Sequence, residues 1–343
     1  MKKIIISIFL AVVVLFLVLD EPSYRVEEIF FKHGDNQLAG LMTFPVSDKE
    51  EFPCIVMIHG DGPVDRDSGH GYDLFFEEFA KAGWCVLSWD KPGIGESSGD
   101  WLNQSMSDRA DEALAAIHYL QSRGDVISNK IGLFGYSQAG WVIPLAASRS
   151  EDVSFIIPVS TAIDVVSQSR YYRKNRWALK GYSQEEIDEN LSYYDRLEQQ
   201  SLEHPSYESY LKSVQNEAPE HYGELMARGR WIFSNKLGGV NARHALRNTH
   251  CPVLAIWGDK DMYVDVDESY KIYSEELKKA GNSDVTLQIF PNANHSLIKA
   301  HRKQLVHKGV SFWWIMLKYV ALGKSAFADG YFELLMDWLE KRK

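Results

Sequence analysis

The chain has 343 residues, 45% hydrophobic and 24% charged, the balance of an ordinary globular protein with room for one domain plus an insertion or for two small domains. A formal net charge of -10 argues against a nucleic-acid surface, which needs concentrated Lys and Arg. Cys54, Cys85 and Cys251 each fall in or beside an apolar strand-like run without metal-ligand spacing, so buried single thiols are expected rather than a disulfide framework.

In chain order, Met1-Lys2-Lys3 precedes a run over residues 4–19 that is apolar except for Ser7 and ends at Asp20-Glu21-Pro22. The run is slightly long for a signal-peptide core and slightly short for an upright transmembrane helix, and neither a small-x-small cleavage site nor a lipid-attachment cysteine follows it. It predicts an uncleaved membrane anchor over residues 1–22, with Lys2 and Lys3 on the cytoplasmic side and the remainder outside. A cleaved export signal, giving a periplasmic or secreted protein, is the alternative.

From Tyr24 onward strand-like and helix-like segments alternate. Residues 25–32 and 38–44 read as a hairpin across Gly34-Asp35-Asn36, and 54–58 as a short buried strand. Helix 74–82 stops at Gly83, and strand 84–89 follows. Ser107, with Asp108 and Asp111 in the first turn, is expected to open a helix reaching about Ser122. A strand ending at Phe134, a helix to about Arg149 and strand 155–159 come next; strands 253–257 and 285–290 flank a helix over 267–279. This alternation predicts a mostly parallel sheet with helices on both faces and binding sites at the carboxyl ends of its strands. The segment 163–247 breaks the pattern: its apolar residues recur at helical spacing, which predicts a helical cap between core segments 23–162 and 248–343. Tyr171, Tyr172, Tyr182, Tyr193, Tyr194, Tyr207, Tyr210 and Tyr222 either line a pocket or pack the cap, and packing is the expectation for any one of them.

Five stretches carry chemistry. Gly135-Tyr136-Ser137-Gln138-Ala139-Gly140 follows an apolar strand and spells a nucleophile elbow, where a tight strand-to-helix turn needs small residues around an exposed serine. Ala139 stands where the usual pattern has glycine. His59-Gly60-Asp61-Gly62 follows a buried strand and can present amides to a developing oxyanion; the Asp61 and Gln138 amides are the expected pair. Asp90-Lys91-Pro92-Gly93-Ile94-Gly95-Glu96-Ser97 is a second glycine-rich turn that lacks the ending of a P-loop; Asp90 and Ser97 are expected to shape it. A serine nucleophile needs a base and the base an acid. Asp261, in Gly258-Asp259-Lys260-Asp261, is the expected acid, with Asp259 as competitor and Asp265 and Asp267 capping the next helix. His295, in a loop of small and polar residues after the last clear strand, is the expected base, and the other ten histidines are background.

The order Ser137, Asp261, His295, together with these turns, resembles the α/β-hydrolase superfamily over residues 25–341. Gly62-Pro63-Val64-Asp65-Arg66-Asp67 and the elbow are most similar to esterases related to dienelactone hydrolases and bile-acid-CoA acyltransferase-type thioesterases. That resemblance implies the α/β-hydrolase fold, hydrolysis of a small-molecule carboxylic ester through an acyl-enzyme, no metal or organic cofactor, and an Asp65-Arg66 brace for the oxyanion loop. The chain departs from the group at Asp61, at Ala139 and in added segments at both ends. A thioesterase or acyltransferase, a small-peptide peptidase and a non-enzymatic binding module are the other readings. The basic run from Lys299 into Phe312-Trp313-Trp314 is expected to pack on the cap or core, with docking at a membrane surface as the alternative.

Overall fold

Strands β1 (Tyr24–His33) and β2 (Asn36–Pro45) form the predicted hairpin, paired antiparallel from Tyr24↔Pro45 to His33↔Asn36 and reversed at Gly34, whose φ of +55° suits glycine. The structure is a computed structural model that describes residues 24–203, 206–217, 226–301, 303, 319 and 321–343. The expected N-terminal anchor, Tyr222 and all of 312–320 except Tyr319 lie outside these residues. Among the described residues, no helix is long and apolar enough to cross a membrane.

The hairpin joins β3 (Phe52–Ile58), β4 (Cys85–Trp89), β5 (Val126–Tyr136), β6 (Phe155–Val159), β7 (Val253–Gly258) and β8 (Val285–Phe290) in one eight-stranded sheet of order β1-β2-β4-β3-β5-β6-β7-β8. Strand β2 pairs antiparallel with β4, and every pairing from β4 to β8 is parallel. Strands β3, β4, β6 and β7 are buried at every residue, which explains their continuous apolar runs: helices cover both faces. Helix α1 (Asp73–Lys81) covers one face, and α2 (Met106–Gln121) and α3 (Ala139–Ala147) the other. Among the described residues, five helices, α4 (Val165–Leu179), α5 (Gln184–Glu203), α6 (Tyr207–Glu217), α7 (Arg228–Leu237) and α8 (Arg243–Arg247), lie between the neighbouring strands β6 and β7; the first four are consistent with a cap insertion, while α8 packs its buried Leu246 into the core of the main body. Helices α9 (Val266–Lys279) and α10 (Tyr331–Glu340) complete the two layers. Ala113, Ile117, Val142 and Tyr273 of α2, α3 and α9 share one core cluster, and Phe76, Phe79, Leu335 and Trp338 of α1 and α10 share the other.

Helix α2 starts two residues before the expected Ser107. Ser105 Oγ accepts from the Asp108 amide at 3.1 Å while Asp108 Oδ2 accepts from the Ser105 amide at 2.8 Å, so the Ser-x-x-Asp spacing satisfies two otherwise orphaned amides. Ser107 has Ala110 three residues on and can form no such reciprocal pair. Asp265 caps α9 by accepting from the Glu268 amide, with Asp267 in its first turn. The cap has a small core of its own, in which Tyr210, Val214 and Trp231 are buried with Tyr207 against them. Tyr319 packs on the body of the fold, its hydroxyl donating to Gly71 O at 3.3 Å.

Candidate active site

The turn from β5 into α3 holds Ser137 at φ +58°, a left-handed conformation that a non-glycine residue occupies only under constraint. Its neighbours explain the small residues around it. A Cβ on Gly135 would lie 2.3 Å from Ile58 O, and one on Gly140 would lie 2.1 Å from Thr161 Cβ. Ala139 is fully buried, and its methyl fills the space that Gly135 leaves. Alanine at this position therefore satisfies the steric demand of the elbow.

The structure brings the two candidates Asp261 and His295 into contact. His295 Nδ1 lies 2.7 Å from Asp261 Oδ2, and the Asp261 side chain is fully buried. Asp261 Oδ1 accepts from the amides of Tyr263 at 2.7 Å and Val264 at 3.1 Å, which fixes the carboxylate plane. Asp259 serves another purpose: it pairs with Lys260 at 2.5 Å and accepts from the Ala293 amide at 3.3 Å, bracing the loop that carries His295. Asn294 Oδ1 accepts from Ser296 and Ile298 in the same loop, and Leu297 is held at φ +58°. The Tyr263 ring lies 4.8 Å from the imidazole and stacks on Tyr172 at 5.3 Å.

The loop after β3 passes over the elbow, since a Cβ on Gly60 would lie 3.4 Å from Tyr136 O and 3.7 Å from Ser137 Cβ. Two buried cations hold this loop from below. Lys91 Nζ donates to Gly60 O at 2.6 Å and Gly62 O at 2.8 Å. Arg109 donates to His59 O and to Gln138 Oε1, both at 2.6 Å. The consequence is geometric. In a trans peptide the carbonyl and the following amide point in opposite directions, so fixing Gly60 O inward turns the Asp61 N–H outward. Burial first, and then the neighbouring Arg109 charge, push the Lys91 ammonium well below its ordinary value. From the cap, Arg230 grips the Asp61 carboxylate with two bonds of 3.0 and 2.7 Å. Burial tends to raise the Asp61 carboxyl, but the Arg230 bonds and charge outweigh it and hold it below the ordinary value.

Arg66 bonds Asp90 through its amide at 2.7 Å and its side chain at 3.0 Å, and Ser97 Oγ donates to Asp90 O, so the two glycine-rich turns are tied together. Asp65 instead accepts from the Gly69 amide inside its own turn. Lys91, Arg109 and Arg230 carry no sequence signal of their roles. For Lys91 the only hint was its position inside a glycine-rich turn after a strand.

His59 is structural. Its Nε2 lies 2.5 Å from Trp89 O, which can only accept, so Nε2 carries the proton and Nδ1 accepts from the Tyr72 hydroxyl at 3.0 Å. Burial, then the Lys91 charge, push it down to about 3. Between that value and the unfolded value of 6.5 the unfolded chain binds the extra proton, so stability falls as pH falls through this window. Unfolding free energies from urea denaturation at pH 7.5 and 5.5 are expected to differ by roughly 1 to 1.5 kcal/mol more in the wild type than in His59→Gln. An equal pH dependence in both would refute the neutral buried imidazole.

Ser137, His295, Asp61 and Gln138 line one cavity of about 1370 Å³ with Gly60, Trp141, Tyr263 and residues of the cap, among them Tyr172, Tyr182 and Tyr194. Tyr171 instead donates to Asp261 O at 3.2 Å. The sheet, the elbow and the inserted cap define an α/β-hydrolase. The chain belongs to the Hydrolase_4 family, described as serine aminopeptidase, S33, whose model matches residues 50–301. It is 24% identical to esterase EstD of Thermotoga maritima over 82% of its own length and 64% of that relative's. It thus spans less than two thirds of EstD. It is 22% identical to the AB hydrolase superfamily protein YisY of Bacillus subtilis, covering 73% of this chain and 88% of that one. Among solved structures, it resembles an esterase of Pyrococcus furiosus (15% identity, TM-score 0.57, 93% and 91% covered). It also resembles an acylaminoacyl peptidase of Pyrococcus horikoshii (16%, 0.57, 96% and 43%).

Proposed function

We propose that the chain is a serine hydrolase of small carboxylic esters, working through an acyl-enzyme on Ser137. His295 takes the Ser137 proton as the hydroxyl attacks the ester carbonyl, and Asp261 holds the imidazole in the tautomer that leaves Nε2 free to accept. The oxyanion rests on the amides of Asp61 and Gln138. The alcohol leaves with the proton from His295, which then activates water to release the acid. The observation that carries this reading is the 2.7 Å contact of a fully buried Asp261 with His295, which lines the same cavity as Ser137, itself held at positive φ.

The cavity also favours an ester over a peptide with a free amino terminus. An α-amine is best held by an unpaired carboxylate, and among the described residues the carboxylates lining the cavity are each paired: Asp61 with Arg230, Asp195 with Arg170 and Glu198 with Arg173. The motif likeness to dienelactone-hydrolase-related esterases supports the same choice. The apolar run at residues 4–19 supports membrane anchorage with the catalytic domain outside. A fluorophosphonate probe is expected to label the wild type and leave Ser137→Ala unlabelled. A folded wild type that turns over esters but refuses the probe would sink the mechanism.

A further inference from the structure

The cavity wall contributed by the inserted helices is cationic, against the acidic background of the chain. Among the described residues, five Lys and Arg side chains line the cavity (Arg170, Arg173, Arg176, Lys180 and Arg230) against three carboxylates. Four of the five belong to α4 and its C-terminal cap, at positions 170, 173, 176 and 180, a spacing of three and four residues that places them on one helical face. Residues 165–184 contain no Asp or Glu, so the helix cannot neutralise this stripe itself. The neighbouring helix α5 does so in part: Asp195 pairs with Arg170, and Glu198 with Arg173 at 2.6 Å. Arg176 and Lys180 have no ion-pair or side-chain hydrogen-bond partner among the described residues. Both line the cavity and are exposed to solvent.

Their distance from the chemistry follows from the helix. Tyr172 stacks on Tyr263, which flanks His295, and so marks the catalytic end of α4. At 1.5 Å per residue, Arg176 stands about 6 Å and Lys180 about 12 Å further along the axis. The cavity wall also includes Trp141, Val165, Trp177 and Leu237. A ligand that fills this cavity has a reactive carbonyl at Ser137, an apolar stretch of several bonds, and an anion at the far end.

We propose that the substrate is an anionic ester, whose acyl chain ends in a carboxylate or phosphate received by Arg176 and Lys180. The inference rests on the ester-hydrolase reading and names its substrate class. Both groups offer planar or tetrahedral oxygen clusters that guanidinium and ammonium donors recognise.

The test compares kcat/KM for three p-nitrophenyl esters of matched length: the neutral hexanoate, the adipate monoester ending in carboxylate, and the 6-phosphonohexanoate. The wild type is expected to prefer at least one anionic ester by about tenfold, the amount that two partly exposed ion pairs supply. The better anionic ester identifies the group recognised. In Arg176→Ala/Lys180→Ala the anionic-to-neutral ratio should fall towards one, and in Arg176→Glu/Lys180→Glu it should fall below one. A structural role alone would lower all three rates and leave the ratio in place. Calorimetric titration of adipate and of 6-phosphonohexanoate into Ser137→Ala, with and without the double alanine substitution, reads the same site without turnover. A wild type that hydrolyses the hexanoate without charge preference overturns the anionic-substrate inference and leaves the esterase reading standing. Loss of turnover on all three, with anion binding that depends on Arg176 and Lys180, has the opposite meaning. An unchanged ratio in the charge-reversed variant refutes the inference as well.

Discussion

Replacing Asp261 by Asn is expected to lower kcat on a neutral p-nitrophenyl ester by about 10⁴-fold with little change in KM. The substitution is isosteric, and the Asn carbonyl oxygen can still accept from the amides of Tyr263 and Val264, which hold Asp261 Oδ1. The other terminus then becomes an NH₂ that donates toward His295 Nδ1, now 2.7 Å from Asp261 Oδ2. Nδ1 must accept that bond, so the proton moves to Nε2 and the imidazole can no longer take one from Ser137. The charge that would offset the imidazolium is lost as well. Asp259→Asn is the control, because Asp259 contacts Lys260 and the Ala293 amide rather than the imidazole. It should lower kcat by less than about tenfold, against the 10⁴-fold expected at the triad acid. Steady-state kinetics on the two variants decide the matter: a larger loss in Asp259→Asn would reassign the acid.

Lys91→Met is expected to lower kcat by about 10²-fold, close to the cost of removing one oxyanion donor outright. Lys91 touches no substrate in this scheme. It holds Gly60 O and Gly62 O, and through the trans peptide it aims the amide of Asp61. Methionine keeps the apolar stem beside Trp101, whose ring lies 5.1 Å from Lys91 Nζ, but supplies no donor. The two carbonyls lose their buried partner, costing about 1–3 kcal/mol each in stability unless the loop turns over. A flipped Gly60–Asp61 peptide would relieve that cost and remove the amide from the oxyanion. The expected signature is a fall in kcat larger than the change in KM, with slower fluorophosphonate labelling of Ser137. A variant that is merely less stable, yet acylates at the wild-type rate when folded, would remove Lys91 from this positioning role.

The sheet, the elbow and the meeting of Asp261 with His295 were legible because each is announced locally. A buried parallel strand reads as a continuous apolar run, and the residue that follows it emerges at the carboxyl edge. Three such runs, ending before Ser137, Asp261 and His295, suffice to bring the candidates to one rim. Lys91, Arg109 and Arg230 were not legible, for a physical reason. They act on backbone carbonyls, one side-chain amide and one carboxylate between 29 and 169 residues away, and a backbone carbonyl has no letter in the sequence. Ser105 was missed for a smaller reason. Two serines stand two residues apart, and only reciprocity with Asp108 separates them. The tyrosines divided by depth: Tyr207 and Tyr210 pack inside the cap, while Tyr172, Tyr182 and Tyr194 face the cavity.

The cap leaves and rejoins the core at nearly the same point. Ala242 donates to Ile163 O at 2.8 Å, Val165 donates to Val240 O at 3.2 Å, and Asp164 and Asn241 form an antiparallel bridge between them. An insertion whose ends are already stitched together costs the core almost the same closure entropy whatever its length. The cap is therefore a cassette. The seam separates changes in the cap's length from the strand register beneath, while Arg230 on Asp61 and Tyr171 on Asp261 O are the contacts that any exchanged cap would have to replace.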